Sequence, residues 1–158
     1  MPSALELRVA KIVAVADHPD AQSLYVLQVD AGEGALRTVC SGLKNSYQAS
    51  DLQDRAIVLF ANLKPAPLRG VMSQGMLLAG DGPEGKAVLV VPPANAAVGA
   101  RISIAGIPAA KDNRELKLKD FDKVKLSVQN GNVLCGSAAL SVADAAVTCP
   151  VADGAGVH

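Results

Sequence analysis

AIVLFANLKPAPLRGVMSQGMLLA, residues Ala56–Ala79, is the stretch of sequence that decides the fold of this chain. It starts with a continuous apolar run, Ala56–Leu63, which is typical of a buried central strand, and it ends in a second apolar run. Between these runs, residues Asn62–Met76 contain two prolines, two glycines and two cations. Each proline fixes its φ angle and removes a backbone donor, so the segment predicts a stiff, basic loop between two strands.

The residues before this stretch predict further strands and one helical turn. Alternating apolar and polar residues indicate the strands, and clusters of Asp, Pro and Gly indicate the turns between them. The predicted elements are strands at Leu5–Val15, Ser23–Asp30 and Leu36–Gly42, a hairpin loop at Ala31–Gly34, and a helical turn at Ser50–Asp54 with Ser50 as its cap.

The apolar runs after the loop, MLLAGDG and KAVLVVPP, supply another hairpin arm and a closing strand. Five strands over about ninety residues, with a short helix between the third and the fourth, match the OB-fold, a small barrel. An immunoglobulin-like sandwich needs about seven strands and has no such helix. We therefore predict a mainly all-β chain built on a five-stranded OB-fold barrel.

Residues 96–158 predict a second unit, appended to a barrel of residues 1–95. Ala100–Gly106 is typical of a strand, and Lys111–Gln129 contains a charged helix candidate. The apolar residues of that candidate are spaced for one face: Leu118, Phe121 and Val124. The run NVLCGSAALSVADAAVTCPV then predicts short strands with turns. Because this unit lacks a full core of its own, we expect it to pack on the barrel.

The charge of the chain is unevenly distributed. Lysine and arginine together number 15, as do aspartate and glutamate, so the formal net charge is zero. Residues 61–125, however, contain ten basic and six acidic residues, whereas residues 126–158 contain no lysine or arginine and two aspartates. Local field matters more than total charge for docking a polyanion, so the basic middle segment favours a nucleic-acid partner.

Cysteine count and hydropathy indicate the compartment. The three cysteines are odd in number and widely spaced, which is typical of free thiols in a reducing compartment. The first residues, MPSALELR, do not have the pattern of a signal peptide. No apolar run approaches the roughly 20 residues that cross a bilayer. We expect a cytoplasmic protein with no membrane partner.

Catalytic and metal-binding motifs are weak or missing in the sequence. Ser41-Gly-Leu-Lys44 matches the S-x-x-K pattern of penicillin-recognising enzymes, but no S-D-N or K-T-G follows. His18 and His158 are the only imidazoles, and His18 lies in a predicted turn. The metal-binding spacings C-x-x-C and H-x-x-x-H do not occur. We expect no enzymatic activity, no metal and no cofactor.

The predicted loop has the residues of an RNA contact. Lys64 and Arg69 lie on either side of its prolines. A preorganised pair of cations suits phosphate contact because little entropy remains to be lost on binding. Ser73 and Gln74 can add hydrogen bonds to sugar or base edges. On these residues alone, a loop whose cations are simply solvated stays open as the alternative.

The order and spacing of four motifs resemble one known family. The motifs are LELRVAKIV (Leu5–Val13), HPDAQSLYVLQVD (His18–Asp30), RTVCSGL (Arg37–Leu43) and ANLKPAPLRGVMSQGMLLA (Ala61–Ala79). By them the chain is identified as a member of the tRNA-binding domain family of endothelial monocyte-activating polypeptide II (EMAP II), which is also appended to methionyl- and tyrosyl-tRNA synthetases. Weaker similarity continues to the Cys-containing C-terminus, as in the longer, EMAP II-like version with a small appended domain.

This resemblance implies a non-catalytic module that recognises folded tRNA and assists a methionyl- or tyrosyl-tRNA synthetase in cis or in trans. The appended domain of the longer version imitates a second barrel, which implies a monomer rather than a homodimer. The residues that match the family's RNA-binding motifs are Arg8, Ser23, Ser41, Asn62, Lys64, Arg69, Ser73 and Gln74. Arg8 could instead pair with Glu6, and Asn62 could instead fix the loop backbone.

Two departures from the family keep other functions open. The relatives are strongly basic whereas this chain is neutral, and its residues 126–158 have no lysine or arginine. One alternative is a scaffold subunit of a synthetase complex with weak RNA binding. Another is a cytokine-like signalling fragment, for which the matching segment is Arg8–Ala14. An oligosaccharide-binding barrel stays possible, although aromatic residues, which stack on sugars, make up only 3% of the chain.

Overall fold

A computed structural model describes residues 5–106, 115–122, 124–142 and 145–158 of the chain. Within them nearly all regular structure is β-structure, as the sequence predicts. The strands are β1 (Leu7–Asp17), β2 (Tyr25–Asp30), β3 (Arg37–Ser41), β4 (Ala56–Phe60), β5 (Ala66–Leu68), β6 (Val71–Ser73), β7 (Met76–Leu77), β8 (Ala79–Asp81), β9 (Ala87–Leu89), β10 (Ser103–Ile104), β11 (Leu126–Gln129), β12 (Asn132–Cys135), β13 (Ala138–Val142), β14 (Ala145–Ala146) and β15 (Gly156–Val157). The helices are α1 (Ala49–Leu52) and α2 (Leu118–Asp122), and a 3₁₀ turn spans Pro83–Gly85.

The first sheet is antiparallel and has five strands in the order β3-β2-β1-β4-β7. β1 pairs with β2 along one part of its length and with β4 along another, and a register shift between Ile12 and Ala14 marks the bulge that bends it. The ends of the sheet approach each other where the Gln74 N–H donates to the Thr38 carbonyl at 2.7 Å. The prediction of a five-stranded, nearly closed barrel is confirmed.

α1 lies between β3 and β4, as predicted, but it begins before Ser50. The carboxylate that closes its first turn belongs to Asp51, whose Oδ2 accepts a hydrogen bond from the Gln48 N–H at 3.0 Å. The predicted cap at Ser50 is therefore wrong, because an acidic residue three positions after Gln48 supplies the capping acceptor. Leu52 is fully buried and anchors the helix in the barrel core.

The second sheet joins the C-terminal residues to the barrel. Its order is β10-β13-β12-β11-β15-β8-β9, with β14 paired to β13. The predicted hairpin arm MLLAGDG divides between the sheets, because its first part, β7, pairs with β4 in the five-stranded sheet. Its second part, β8, and the predicted closing strand, β9, extend the second sheet, where Gly80 of β8 lies opposite Val157 of β15. A Cβ at Gly80 would lie 2.7 Å from the Cys149 Sγ, so this close approach requires glycine.

One hydrophobic core extends from the barrel into the C-terminal residues. Leu7, Val58 and Phe60 of the barrel strands pack in the same cluster as Phe121 and Val133. The ring centroids of Phe60 and Phe121 are 5.2 Å apart, and both side chains are almost fully buried. Unfolding of the C-terminal residues would therefore expose the outer face of β4.

The charged segment that predicts a helix is only partly helical where the structure describes it. α2 has five residues. Phe121 and Val124 are buried as predicted, but Leu118 is 52% exposed, so the predicted helix face is wrong at Leu118. Leu126–Gln129 is a strand instead, because its residues alternate between buried and less buried positions. The start of the segment, within residues 107–114, lies outside the described residues.

Candidate nucleic-acid interface

The segment predicted as a stiff loop is a two-stranded hairpin that belongs to neither sheet. β5 pairs with β6, and Leu68 lies opposite Val71, so the turn has two residues. These residues, Arg69 and Gly70, have φ angles of 54° and 89°, the positive values of a type I′ hairpin turn. The sequence does not predict the hairpin because Arg-Gly is a weaker turn signal than Asn-Gly, and because Pro67 argues against a strand.

A buried histidine holds the hairpin against the barrel. His18 is 5% exposed, and its Nδ1 accepts a hydrogen bond from the Asp20 N–H at 3.0 Å. Its Nε2 lies 2.8 Å from the Leu68 carbonyl oxygen. Because Nδ1 accepts, the neutral imidazole has its proton on Nε2 and donates it to Leu68. This bond fixes the backbone immediately before Arg69.

Arg69 and Ser23, two of the predicted site residues, meet at the tip of the hairpin. They line one cleft, in which Arg69 forms one wall and residues 20–24, including Ser23, form the other. Both side chains are exposed. Asp20 lines the same cleft and is its acidic residue. The structure thus brings together two residues from different predicted motifs at a solvent-facing edge.

Ser73 and Gln74 connect the hairpin to β3. Ser73 is 6% exposed, and its Oγ accepts a hydrogen bond from the Cys40 N–H at 3.0 Å and donates to the Gly75 carbonyl at 3.2 Å. The Gln74 Oε1 accepts from the Thr38 N–H at 2.9 Å. Both side chains therefore already bond within the protein.

Asn62 fixes the backbone where the chain enters the hairpin. It is 8% exposed, and its Oδ1 accepts a hydrogen bond from the Glu6 N–H at 2.9 Å. Its carbonyl oxygen accepts from the Leu116 N–H at 2.8 Å. The Asn62 amide therefore ties the start of the hairpin segment to the backbone just before β1.

Arg8 lies in a polar cleft on the same side of the barrel, with Asn62 and Gln74 among the lining residues. Its guanidinium contacts the Glu6 carboxylate at 2.5 Å and donates to the Gly99 carbonyl at 2.8 Å. The pairing with Glu6, the alternative for this residue, is therefore present.

Arg37 lines the same cleft, although the sequence did not select it. It holds Glu33 through two N–H···O bonds of 2.6 and 2.7 Å, and it donates to the carbonyls of Ala61 and Gln74 at 2.6 and 2.9 Å. The hydrogen bond lowers the pKa of Glu33 and raises the pKa of the Arg37 guanidinium. The four-residue spacing of Glu33 and Arg37 is the sequence signal that could have found the pair.

Lys64 and Arg69 are in a different situation from these two arginines. Both of their side chains are exposed. Among the described residues, the ion pairs involve Arg8, Arg37, Lys44 and His158, and neither Lys64 nor Arg69 belongs to one. Lys64 instead lines an apolar groove under the hairpin, together with Ser73.

Ser41 is separate from the other predicted residues. It ends β3 opposite Tyr25 and is half-buried. In the described part of the chain it lines none of the three clefts at the hairpin tip, under the hairpin and around Arg8. The remaining seven predicted residues all lie in those clefts.

Side chains that could bind a metal are not grouped in the geometry of a metal site among the described residues. Within the ranges that the structure describes, no group of three His, Cys, Asp or Glu side chains is placed to hold a metal ion. The helices there are too short to cross a bilayer. Cys40, Cys135 and Cys149 are free thiols.

Comparison with known proteins places this geometry in a family. Aminoacyl tRNA synthase complex-interacting multifunctional protein 1 of Cricetulus griseus is 46% identical over 117 residues, which are 74% of this chain and 32% of that protein. The cytoplasmic tyrosine–tRNA ligase of Xenopus laevis is 43% identical over 138 residues, 85% of this chain and 26% of the ligase. The chain thus spans about a third or less of the length of these relatives.

A solved structure extends the likeness to the whole chain. The C-terminal domain of Plasmodium vivax p43 matches with a TM-score of 0.86 at 28% identity, covering 100% of this chain and 99% of that domain. The family model described as "Putative tRNA binding domain" matches residues 7–101, more than half of the chain. The chain therefore belongs to the tRNA-binding domain family.

Proposed function

We propose that this chain is a non-catalytic module that recognises folded tRNA by shape and backbone and assists an aminoacyl-tRNA synthetase in cis or in trans. The observation that supports this most is the pair of exposed cations, Lys64 and Arg69, on a hairpin braced by His18 and Ser73. Such cations replace the counterions of RNA phosphates. Because the hairpin is already ordered, little conformational entropy is lost on binding.

The predicted site residues divide into two roles in this proposal. The exposed residues Lys64, Arg69 and Ser23 contact RNA. Ser41, half-buried at the end of β3, is a peripheral contact. The remaining residues hold the surface in place because their polar groups already bond within the protein: Arg8, Asn62, Ser73 and Gln74.

The proposal excludes catalysis. Burial raises the pKa of the Cys40, Cys135 and Cys149 thiols, which disfavours the nucleophilic thiolate. Both ring nitrogens of His18 are engaged by backbone groups, so this imidazole is not available to a substrate. We propose accordingly that no metal or cofactor takes part.

Similarity to a synthase complex-interacting protein and to a cytoplasmic tyrosine–tRNA ligase supports the proposed partner and setting. We propose a tyrosyl- or methionyl-tRNA synthetase as the partner, a cytoplasmic location and no membrane partner. We also propose that the chain consists of a barrel, residues 1–95, and an appended unit, residues 96–158, and that it functions as a monomer. The core shared by Phe60 and Phe121 supports a unit that packs on the barrel. Sedimentation equilibrium of the purified chain tests the monomer.

A scaffold subunit with weak RNA binding is the second candidate. The observation that favours it is the neutralised polar cleft, where Arg8 and Arg37 are both paired with glutamates. Capture of a tyrosyl- or methionyl-tRNA synthetase, together with no measurable tRNA binding at low salt, would favour this candidate over the first.

The proposed function is tested by titrating the chain with folded tRNA and with an unstructured RNA of equal length, at the same salt concentration. Recognition by shape and backbone predicts tighter binding of the folded tRNA. Equal affinity for the two RNAs would contradict recognition of the fold, and no binding of either at low salt would contradict the proposal as a whole.

A further inference from the structure

We propose that an unpaired nucleotide of the bound RNA enters the apolar groove between the hairpin and the start of α2, with its phosphates at Lys64 and Lys117. This inference rests on the proposed function and adds C-terminal residues to the binding surface. The groove has a volume of about 380 Å³, near the lower end of the roughly 300–1,000 Å³ found for ligand pockets. A single nucleotide is a ligand of this scale.

The walls of the groove are apolar and partly open to solvent. Pro65, Pro67 and Leu68 come from the hairpin, and Leu118 comes from α2. Leu68 and Leu118 are 40% and 52% exposed, which leaves two leucine side chains facing the same space. The faces of an unstacked base are apolar and pack on such side chains, whereas bases within a stem are stacked on their neighbours.

The charges around the groove favour an anionic ligand. Among the described residues that line it, the charged ones are Lys64 and Lys117, and no aspartate or glutamate lines it. The polar cleft on the other side of Pro65 is lined by Glu6, Glu33 and Glu115 as well as by its arginines. The walls of the groove therefore carry positive charge, and the nearest acidic group at Lys117 is the Asp120 carboxylate, which accepts a hydrogen bond from the Lys117 backbone N–H at 2.9 Å outside the lining.

The backbone fixes Lys117 relative to Lys64. The Lys64 N–H donates to the Leu116 carbonyl at 2.7 Å, and a parallel bridge joins Leu63 to Leu116. Phe121, packed on Phe60, anchors the helix that follows. The two lysines thus stand on one preformed frame built from the barrel and the C-terminal residues, which reduces the entropy cost of holding a phosphate.

A peptide strand is a poorer occupant than a nucleotide. Pro65 and Pro67 have no backbone N–H, so the free edge of the hairpin offers few donors to an added strand. The groove and the hairpin tip are neighbours in the chain, since Leu68 lines the groove and Arg69 lines the tip cleft.

The test compares charge and size variants on two RNAs. Lys117→Gln removes one ammonium, and Lys119→Gln is its control, because Lys119 is exposed two residues further along, in α2, and does not line the groove. Leu118→Phe and Leu118→Ala enlarge and shrink the apolar wall at an exposed position. Each variant is titrated with folded tRNA and with a blunt, fully paired RNA duplex.

On tRNA, we expect Lys117→Gln to reduce the slope of log K against log salt by about 0.7, the single-strand value for one phosphate. Leu118→Phe should bind tRNA at least roughly threefold more tightly, because an aromatic ring stacks on a base better than leucine does. Leu118→Ala should bind tRNA more weakly. On the duplex, the Leu118 variants should match the parent, and Lys119→Gln should match it on both RNAs.

Equal slope changes for the two lysine variants, or no effect of either Leu118 variant on tRNA, would overturn this inference. Groove variants that change capture of a synthetase but not tRNA binding would overturn it too, and would assign the groove to a protein partner. If the parent chain binds tRNA and the groove variants bind it with the same affinity and salt dependence, only this inference is contradicted. A parent chain that does not bind tRNA contradicts the proposed function as well.

Discussion

The polar cleft and the hairpin place the same kind of residue in two different situations. In the cleft, Arg8 and Arg37 each hold a glutamate and backbone carbonyls. On the hairpin, Lys64 and Arg69 are exposed and belong to none of the ion pairs among the described residues. A guanidinium whose charge is already paired with a carboxylate attracts a phosphate less strongly than an unpaired cation does, so we expect the cleft to support the fold and the hairpin to bind RNA.

Among the variants that distinguish the cleft from the hairpin, Arg37→Met should cause the largest loss of unfolding free energy. This change leaves the carbonyls of Ala61 and Gln74 and the Glu33 carboxylate without their donor. We expect a loss of about 2–3 kcal/mol in the free energy of unfolding, measured by urea denaturation.

Arg69→Asn is the matched control for that experiment. Asparagine accepts a positive φ and forms the favoured Asn-Gly turn with Gly70, so the free energy of unfolding should stay within about 0.5 kcal/mol or rise. Equal destabilisation by the two substitutions would contradict the division of roles between cleft and hairpin.

A smaller loss of unfolding free energy is expected for a substitution at Ser73, where the hairpin meets the barrel. Ser73→Ala removes the acceptor of the buried Cys40 N–H, which should cost about 1–2 kcal/mol of unfolding free energy. Ser23→Ala, at an exposed position of the hairpin-tip cleft, should change it by less than about 0.5 kcal/mol. Denaturation of both variants checks this. A neutral Ser73→Ala would show that the hairpin does not depend on this bond.

The smallest effect concerns the pH dependence of the Glu33–Arg37 pair. The hydrogen bond from Arg37 lowers the pKa of Glu33 below its ordinary value of 4.5. The pair therefore stabilises the fold above that value, and its contribution is lost as pH falls through the lowered pKa of the folded state. Because the pair is partly exposed, we expect a contribution of less than about 1 kcal/mol.

Glu33→Gln checks this pH dependence. The difference in unfolding free energy between the parent chain and the variant should be present at neutral pH and shrink as pH falls below 4.5. A difference that stays constant from neutral to acidic pH would show that the pair does not stabilise the fold through the ionised carboxylate.

The barrel strands could be predicted because burial imposes a visible pattern on them. β2 alternates between buried and half-buried residues, and β4 is buried along most of its length. The hairpin formed by β11 and β12 was not predicted, because β11 ends a charged segment, Lys111–Gln129, whose pattern indicates a helix. Its turn, Asn130-Gly131, has φ angles of 54° and 80°, and this Asn-Gly pair is the signal that would have found it.

The sequence selects the residues of the candidate site, but it does not predict what their side chains contact. Motif spacing leads to Arg8, Asn62 and Ser73, yet their partners depend on how the barrel closes. Arg37 reaches the carbonyls of Ala61 and Gln74, which are 24 and 37 residues away in the sequence, only because β3 lies against the end of β4 and the start of β7. Local sequence patterns do not encode such contacts.

The most direct test of the central claim is the salt dependence of tRNA binding by the double variant Lys64→Gln with Arg69→Asn. Its control is Lys86→Gln with Lys125→Gln, which removes two exposed cations away from the hairpin. Because the double variant removes two phosphate-binding cations, its slope of log K against log salt should be smaller by roughly 1.4–1.8, between the single-strand and duplex values for two phosphates, while the control keeps the parent's slope. An unchanged slope in a folded double variant would contradict the claim that the hairpin cations bind the RNA backbone.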